Sequence, residues 1–250
     1  MSKSNHESCE QLWSSDFGRQ FLRATVTLQR FTLLMKFLRF DNKETRSERK
    51  ERDKMAPIRD LWEQFIQRCR MCYVPGPNCT IDEQLVGFRG RCPFRIYMPS
   101  KPDRYGVKIW WICGSESSYA HNGQVYVGRV GNLPEVGLGN RVVLDLCRPI
   151  EQTGRNLTTD CFFTSLPLAQ TLLTKGLTPL GTMKSNKAEI PEEFQKSRTR
   201  ELYSSLPSYT ASVTNLLSVL TFPNEGNRSS FFLRCITITS SQKSSQNLHV

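Results

Sequence analysis

The strongest constraint on the fold is the segment VKIWWICG, residues 107–114, a nearly continuous run of β-branched and aromatic residues. Such a run is typical of a strand that is buried on both faces of a sheet. Short segments before and after it also predict strands: TIDEQLVGF, QVYVGRV, RVVLDLC, NLTTD and LTPLGTMK. A leucine-rich helical pattern follows NLTTD and ends at Gly176. Several strands with a late helix predict a mixed α/β sheet.

A different pattern, before this sheet, predicts helices. Apolar residues of the segment 19–40 recur at spacings of three and four, as in one amphipathic helix or a pair of helices. The segment APIRDLWEQFIQRCRMCY repeats this spacing, and Pro57 suits the first turn of its helix. Between them, DNKETRSERKERDKMAP carries both charge signs and predicts a solvated, flexible loop. We therefore expect residues 1–72 to form an all-helical N-terminal module.

The charge balance favours a polyanionic partner. Among 250 residues, 34 Lys and Arg stand against 23 Asp and Glu, which gives a formal net charge of +11. This surplus is typical of proteins that bind nucleic acid. No uninterrupted apolar window of about 18 residues exists, and the first residues lack the pattern of a secretory signal. We expect an intracellular protein with no membrane partner.

Nine cysteines are scattered along the chain, and four of them raise the question of a zinc site. Cys69, Cys72, Cys79 and Cys92 could in principle hold the metal, but the second pair lacks the tight spacing of a zinc ribbon. We therefore favour the interpretation that these cysteines are free thiols, either packed in the core or without a specific role, over the interpretation that they bind zinc.

Two aspartates, Asp82 and Asp160, each lie in a short apolar segment. A carboxylate in such a place is costly unless it is paired or bound to a metal. Magnesium prefers hard carboxylate oxygens, so an aspartate at the end of a strand is a candidate ligand. The alternative is that Asp82 and Asp160 cap a turn and a helix, and their spacing alone leaves both interpretations open.

A basic segment interleaved with aromatic residues follows the first of these aspartates. Its basic residues are Arg89, Arg91, Arg95, Lys101, Arg104 and Lys108, and its aromatic residues are Phe88, Phe94, Tyr97 and Tyr105. Such residues could contact phosphates and stack on unpaired bases. Lys184 and Lys187 are similar candidates further on. A solvated basic hairpin is the equally weighted alternative.

Longer words in the sequence carry a family resemblance. TIDEQLVGFRGRCPFRIYMPSKPDRYGVKIWWICG, NLTTDCFFTSLPLAQTLL and GTMKSNKAEIP resemble the transposase domain of the piggyBac family. Upstream, EQLWSS, KFLRFDN, TRSERK and APIRDLWEQF resemble the helical region that precedes the core in transposon-derived relatives. The resemblance runs from about Glu10 to Ser205. It implies an RNase H-like fold that cuts and joins DNA with three aspartates and two Mg²⁺ ions.

The resemblance also assigns the two aspartates. Asp82 corresponds to the family's first catalytic aspartate and Asp160 to the second, both as ligands of Mg²⁺. The third lies in a downstream Gly-Val-Asp word, and this word does not occur in the 250 residues. We therefore expect residues 73–205 to form a partial transposase core, an incomplete RNase H-like mixed sheet that has lost catalysis.

The tail, residues 206–250, does not resemble the family in its present reading frame. Moving the frame back by one nucleotide over residues 232–239 permits Met-His-His-Asp, a word close to the family's own at this point. The same shift over Phe222, Pro223 and Asn224 permits Val-Pro-Lys, another family word. We infer that this tail is translated out of frame, and we expect it to be disordered.

Three functions follow from these observations. The first is a truncated piggyBac-type transposase that still binds DNA in the nucleus but no longer cuts and joins it. The second is a domesticated chromatin or protein-interaction factor that uses the helical module. The third, an active transposase or nuclease, is disfavoured by the missing third aspartate. DNA is the expected partner, and a homodimer is left open.

Overall fold

The computed structural model describes residues 7–129, 135–184, 187, 188, 190, 215–224 and 228–237. The chain divides into two units, Met1–Leu61 and Trp62–Val250. The tail residues 206–214 and 238–250 lie outside the described residues, as does most of the segment 185–205.

Helices make up the regular structure described in the first unit. They are α1 (Cys9–Leu12), α2 (Gln20–Thr25), α3 (Leu28–Phe37) and α4 (Arg46–Arg52), and α5 (Arg59–Cys72) begins in this unit. The segment 19–40 is thus a pair of helices. The pair is separated at Thr27, whose side chain accepts a hydrogen bond from the Arg30 backbone N–H and so caps α3.

The charged segment between these helices differs from its prediction as a flexible loop, because α4 forms within it. The Asp41 carboxylate accepts hydrogen bonds from Arg46 and from Arg49, the latter over 2.7 Å. The donation by Arg46 lowers the pKa of Asp41 to about 2, with a smaller contribution from Arg49. The mixed charges of this segment therefore pair with one another and fix its conformation.

The second unit is built on one mixed sheet, as the sequence predicted. Its strands are β1 (Asn78–Gly87), β2 (Ile96–Tyr97), β3 (Tyr105–Gly114), β4 (Ala120–Val125), β5 (Asn156–Thr159), β6 (Thr178–Met183), β7 (Asn215–Asn224) and β8 (Arg228–Thr237). Their order is β2-β3-β1-β5-β6-β8-β7, and β4 also pairs with β3. The pairs β1–β5 and β5–β6 are parallel, and the other pairs are antiparallel.

Two helices, α6 (Leu138–Cys147) and α7 (Leu166–Thr174), contribute to the hydrophobic core with one face of this sheet. The core side chains from the strands are Cys79, Ile81, Trp110, Ile112 and Leu157, and those from the helices include Val142, Val143, Leu146, Leu168 and Leu172. On the other face of β3, Ile109 is buried, whereas Val107, Trp111 and Cys113 are only partly buried. The prediction that this strand is buried on both faces therefore holds for the core face, and on the other face it holds only at Ile109.

The segment RVVLDLC was predicted as a strand, and this prediction is wrong because the segment lies in α6. Its buried residues are Val142, Val143, Leu146 and Cys147. The spacing i, i+1, i+4, i+5 places these four side chains on one face of a helix. The strand predicted in QVYVGRV also lies earlier than expected, since β4 ends at Val125.

In the described part of the tail, residues 215–224 and 228–237, two strands form where disorder was expected. β7 and β8 pair with each other along their full lengths, and β8 pairs with β6 from Leu180 to Met183. Both segments are rich in residue types that favour strands, as in LLSVLTF and FFLRCIT. The edge of β6 supplies a partner for β8 that sequence reasoning did not provide.

Candidate metal and nucleic-acid site

The register between β1 and β5 determines where the two aspartates lie. These parallel strands pair from Asn78 with Asn156 to Ile81 with Thr159, at a constant offset in sequence. Asp82 and Asp160 are separated by the same offset, and each directly follows the last paired residue of its strand. The parallel pairing therefore brings the two aspartates to the same edge of the sheet.

Glu83 joins these aspartates in one cluster. One carboxylate oxygen from each of Asp82, Glu83 and Asp160 lies within 4.8 Å of the other two. Asp82 is exposed, whereas Glu83 and Asp160 are partly buried. Three hard oxygen ligands at this separation fit a divalent cation such as Mg²⁺, with water completing its coordination.

The backbone holds both aspartates in place. The Glu83 N–H donates to Asp82 Oδ1 over 2.7 Å, and the Phe162 N–H donates to Asp160 Oδ1 over 3.0 Å. Asp160 thus closes a turn and does not cap the following helix as the alternative interpretation expected, since the helix cap of α7 is Ser165. Because the turn uses only Oδ1, the second carboxylate oxygen of Asp160 can bind a metal ion.

The electrostatics of Asp160 reflect its neighbours. Burial raises the pKa of this carboxyl group, and the negative charges of Glu83 and Asp82 raise this pKa further. The hydrogen bond from the Phe162 N–H opposes this shift. A cation between the three carboxylates would remove the repulsion that raises the pKa, so the charges of the cluster also fit a metal site.

Sequence reasoning missed Glu83, although it directly follows Asp82. Successive side chains of a strand point to opposite faces, so alternation places Glu83 away from Asp82. The pairing of β1 with β5 ends at Ile81. Beyond this residue β5 no longer lies alongside β1, so the side chains of Asp82 and Glu83 can meet although they start on opposite faces of the strand. The adjacent acids in the word TIDEQ were the available signal.

Lys101 contacts the carboxylate cluster directly. Its ammonium Nζ lies 3.2 Å from Glu83 Oε1, and both side chains are partly shielded from water. A residue predicted to contact DNA therefore neutralises one carboxylate of the cluster. This ion pair competes with a metal ion for Glu83.

We expect the substitution Lys101→Met to tighten Mn²⁺ binding about fivefold, because it frees Glu83 and removes a positive charge beside the cluster. Isothermal titration calorimetry measures this change, with Lys54→Met as a control for the loss of one positive charge in the other unit. Weaker or unchanged Mn²⁺ binding in Lys101→Met would show that Glu83 takes no part in the site.

A cleft of about 340 Å³ lies beside the cluster on the outer face of β1 and β3. Asp82 and Glu83 line it together with Thr80, Gln84 and Trp111. The Trp111 indole N–H donates to Gln84 Oε1 over 2.9 Å, which fixes the side chain of Gln84. The exposed carboxylate of Asp82 is therefore accessible from this cleft.

The structure separates the residues predicted to contact DNA. Arg89, Arg95 and Arg104 line a second cleft, of about 550 Å³, together with Tyr105. Lys108 lies against Phe162, two residues after Asp160, with its Nζ 5.1 Å from the ring centroid. Arg91 and Lys184 are exposed and Lys187 is partly buried. Contact with DNA by all eight residues, Lys101 included, stays a prediction.

The cysteines considered for zinc do not form a ligand group in the part of the chain that the structure describes. Cys79 is buried in the sheet core, Cys72 is exposed, and Cys69 and Cys92 are partly buried. Burial raises the pKa of the Cys79 thiol, which disfavours the thiolate that a metal needs.

Within the described residues, the helices are too short or too polar to cross a lipid bilayer.

Comparisons with known proteins agree with this architecture. A family model described as Transposase IS4 matches residues 1–247. The structure is also similar to a piggyBac transposase in a synaptic complex with hairpin DNA, with a TM-score of 0.83 and 38% identity. This match covers 95% of the present chain and 50% of the transposase chain. It confirms the predicted RNase H-like mixed sheet preceded by helices.

Two human proteins are similar to part of the chain. The PiggyBac transposable element-derived protein 3 and the Chimeric ERCC6-PGBD3 protein are each 30% identical over 149 residues, or 56% of this chain. The match covers 25% of the first protein and 14% of the second. The chain thus spans about half of the matched transposase and a smaller share of these relatives. It belongs to the Transposase IS4 family and, within that family, to the piggyBac type.

Proposed function

We propose that this chain is a truncated piggyBac-type transposase derivative that binds DNA but does not cut and join it. The observation that carries the proposal is the composition of the carboxylate cluster. In the described residues it contains the two aspartates that match the family, and its third member, Glu83, is paired with Lys101. The Gly-Val-Asp word of the family does not occur in the 250 residues.

DNA binding is supported by charge and by position. The net charge of +11 favours a polyanion, and three arginines share one cleft with an aromatic ring. Lys101 contacts Glu83 of the carboxylate cluster, where a phosphate would approach a bound metal ion. Lys108 lies against the ring of Phe162, two residues after Asp160. The structural neighbour was solved with hairpin DNA, and we propose DNA as the partner of this chain too.

We propose that Asp82 and Asp160, with Glu83 as a weaker ligand, hold a single Mg²⁺ ion. When bound in a complete site, such an ion activates a water or 3′ hydroxyl, or stabilises the leaving oxygen. The residues themselves hold the ligand oxygens in position through the Glu83 and Phe162 backbone N–H groups. We also propose a nuclear location and leave open a homodimer on the DNA.

The DNA-binding proposal predicts salt-sensitive association without sequence preference, because phosphate contacts supply affinity but no base recognition. Five neutralised phosphates give a slope of about −4.5 for log K against log salt concentration on duplex DNA. Fluorescence anisotropy with two unrelated duplexes measures the slope. A slope near zero, or no binding at low salt, would contradict the proposal for this chain.

A protein-interaction function is the second candidate, and the surface of the helical unit favours it. Phe21 of α2 is 62% exposed and Phe37 of α3 is 67% exposed, and Leu34 and Met35 of α3 are also exposed. Exposed apolar side chains in such number mark surfaces that bind other proteins. Recovery of specific protein partners after nuclease treatment would favour this function over DNA binding.

A further inference from the structure

The second cleft combines groups of both charge signs with a flat aromatic ring. It lies in the segment between β1 and β3, has a volume of about 550 Å³ and is lined by Arg89, Arg95, Pro102, Asp103, Arg104 and Tyr105. This volume is in the range of pockets that hold small organic ligands, about 300–1,000 Å³. The carboxylate of Asp103 would weaken a site that bound only phosphate, because the two negative charges repel each other.

The flat groups of the cleft are held in place. Tyr105 lies opposite Tyr97 across the β2–β3 pair, with ring centroids 4.7 Å apart, and both side chains are about half exposed. The Arg95 guanidinium lies 5.7 Å from the Tyr105 ring centroid. Arg95 also donates to the Arg89 and Gly90 carbonyls over 3.0 and 3.3 Å. Aromatic rings and guanidinium planes held in this way are surfaces on which bases stack.

The backbone beside these groups is held in an unusual conformation. Arg104 has φ of +54°, in the left-handed region that side chains other than glycine seldom adopt. Its N–H donates to the Lys101 carbonyl over 3.1 Å, and its carbonyl accepts from the Met98 N–H over 2.7 Å. These two bonds keep Arg104 at the cleft despite the conformational cost.

Asp103 supplies an acceptor among the arginines. Its carboxylate packs against Gly87, where an added Cβ would lie 2.6 Å from Asp103 Oδ2. A carboxylate repels phosphate but accepts hydrogen bonds from the amino groups of bases, as in contacts of Asp with cytosine N4. The cleft therefore matches a whole nucleotide better than a phosphate alone.

We propose that this cleft binds one unpaired nucleotide of single-stranded DNA. The base stacks on the Arg95–Tyr105 pair, a base amino group donates to Asp103, and the flanking phosphates contact Arg89 and Arg104. Stacking on the Arg95–Tyr105 pair needs a base whose faces are not covered by neighbouring bases in a duplex, so the cleft selects unpaired bases. This inference rests on the proposed DNA-binding function and adds to it the form of DNA that is bound.

The first test compares stacking variants of the full chain. Tyr105→Leu is expected to lower the affinity for a fluorescent 12-nucleotide oligo(dC) about tenfold, because a stacked base loses its aromatic partner. Tyr105→Phe keeps the ring and is expected to bind like the unsubstituted chain. Both variants should bind duplex DNA within about twofold of the unsubstituted chain, since duplex contacts are made by phosphates. Equal loss on single-stranded and duplex DNA would overturn the inference.

The second test separates base recognition from simple charge. Asp103→Ala removes a negative charge, so a phosphate patch would bind both oligo(dC) and oligo(dT) more tightly. A base pocket instead predicts tighter binding of oligo(dT) and about fivefold weaker binding of oligo(dC), whose amino group loses its acceptor. Tighter binding of both oligonucleotides would overturn the inference.

The same measurements distinguish the inference from the proposed function. If the unsubstituted chain binds duplex DNA but not oligo(dC), the nucleotide cleft is excluded while DNA binding stands. If it binds neither form at low salt, the proposed DNA-binding function fails and the inference fails with it. Near-identical thermal unfolding midpoints for Tyr105→Leu, Tyr105→Phe and Asp103→Ala ensure that the affinities refer to folded protein.

Discussion

Asp82→Asn is expected to abolish Mn²⁺ binding, with an affinity loss greater than about a hundredfold. Asp82 supplies the most exposed carboxylate of the cluster, and its oxygen lies within 4.8 Å of those of Glu83 and Asp160. An amide keeps the shape of the side chain but removes the charge that attracts a divalent cation. Because Glu83 is already paired with Lys101, Asp160 alone would remain to hold the ion.

Calorimetry on the full chain measures this loss, and Asp160→Asn should reproduce it. Glu116→Gln is the matched control, because Glu116 is an exposed carboxylate outside the cluster. It should leave Mn²⁺ binding unchanged. Mn²⁺ binding by Asp82→Asn at the affinity of the unsubstituted chain would show that these carboxylates do not assemble a metal site.

The pair of aspartates was predictable from sequence because strand signals surround both of them. TIDEQLVGF and NLTTD were predicted as strands, and β1 and β5 form there. Family resemblance then assigned Asp82 and Asp160 to one site. The structure adds the parallel register, whose offset in sequence equals the separation of the two aspartates.

Glu83 and its ion pair with Lys101 were not predictable in the same way. Strand alternation argues against Glu83, and Lys101 lies well beyond it in sequence, in a segment with no regular pattern. Which cation meets which carboxylate depends on how the chain between β1 and β3 folds back, and local periodicity carries no information about that. The same holds for Asp103, which becomes notable only beside Arg89, Arg95 and Tyr105.

Short apolar runs explain the errors in secondary structure. RVVLDLC fits a buried strand by composition, but its buried residues follow helical spacing in α6. Runs of this length do not distinguish a strand from a buried helix without knowledge of the partner. The prediction of a flexible loop in the mixed-charge segment before α5 failed for a related reason. The pairing of Asp41 with Arg46 and Arg49 stabilises α4, and sequence patterns do not show which charges pair.

The chain is expected neither to excise nor to join DNA, even with Mg²⁺ and matching transposon ends. Two Mg²⁺ ions bring four positive charges, and Asp82 and Asp160 offset half of them. Glu83 is a poor replacement for the missing aspartate, since its charge is shared with Lys101. The second ion would be weakly held and displaced, and a displacement of about 1 Å costs on the order of a hundredfold in rate.

An excision assay tests this expectation by comparing the 250-residue chain with one whose tail is restored to the other frame and extended through Gly-Val-Asp. If only the restored chain excises DNA, the result would support the proposal that the 250-residue chain has lost catalysis, because only the restored chain supplies a third aspartate to the ions. Asp160→Asn in the restored chain is the control, and it should be inactive. Cleavage by the unextended chain that disappears in its own Asp160→Asn and Glu83→Gln variants would contradict the proposal. Glu83 would then be the third ligand, and the chain would be a metal-dependent nuclease.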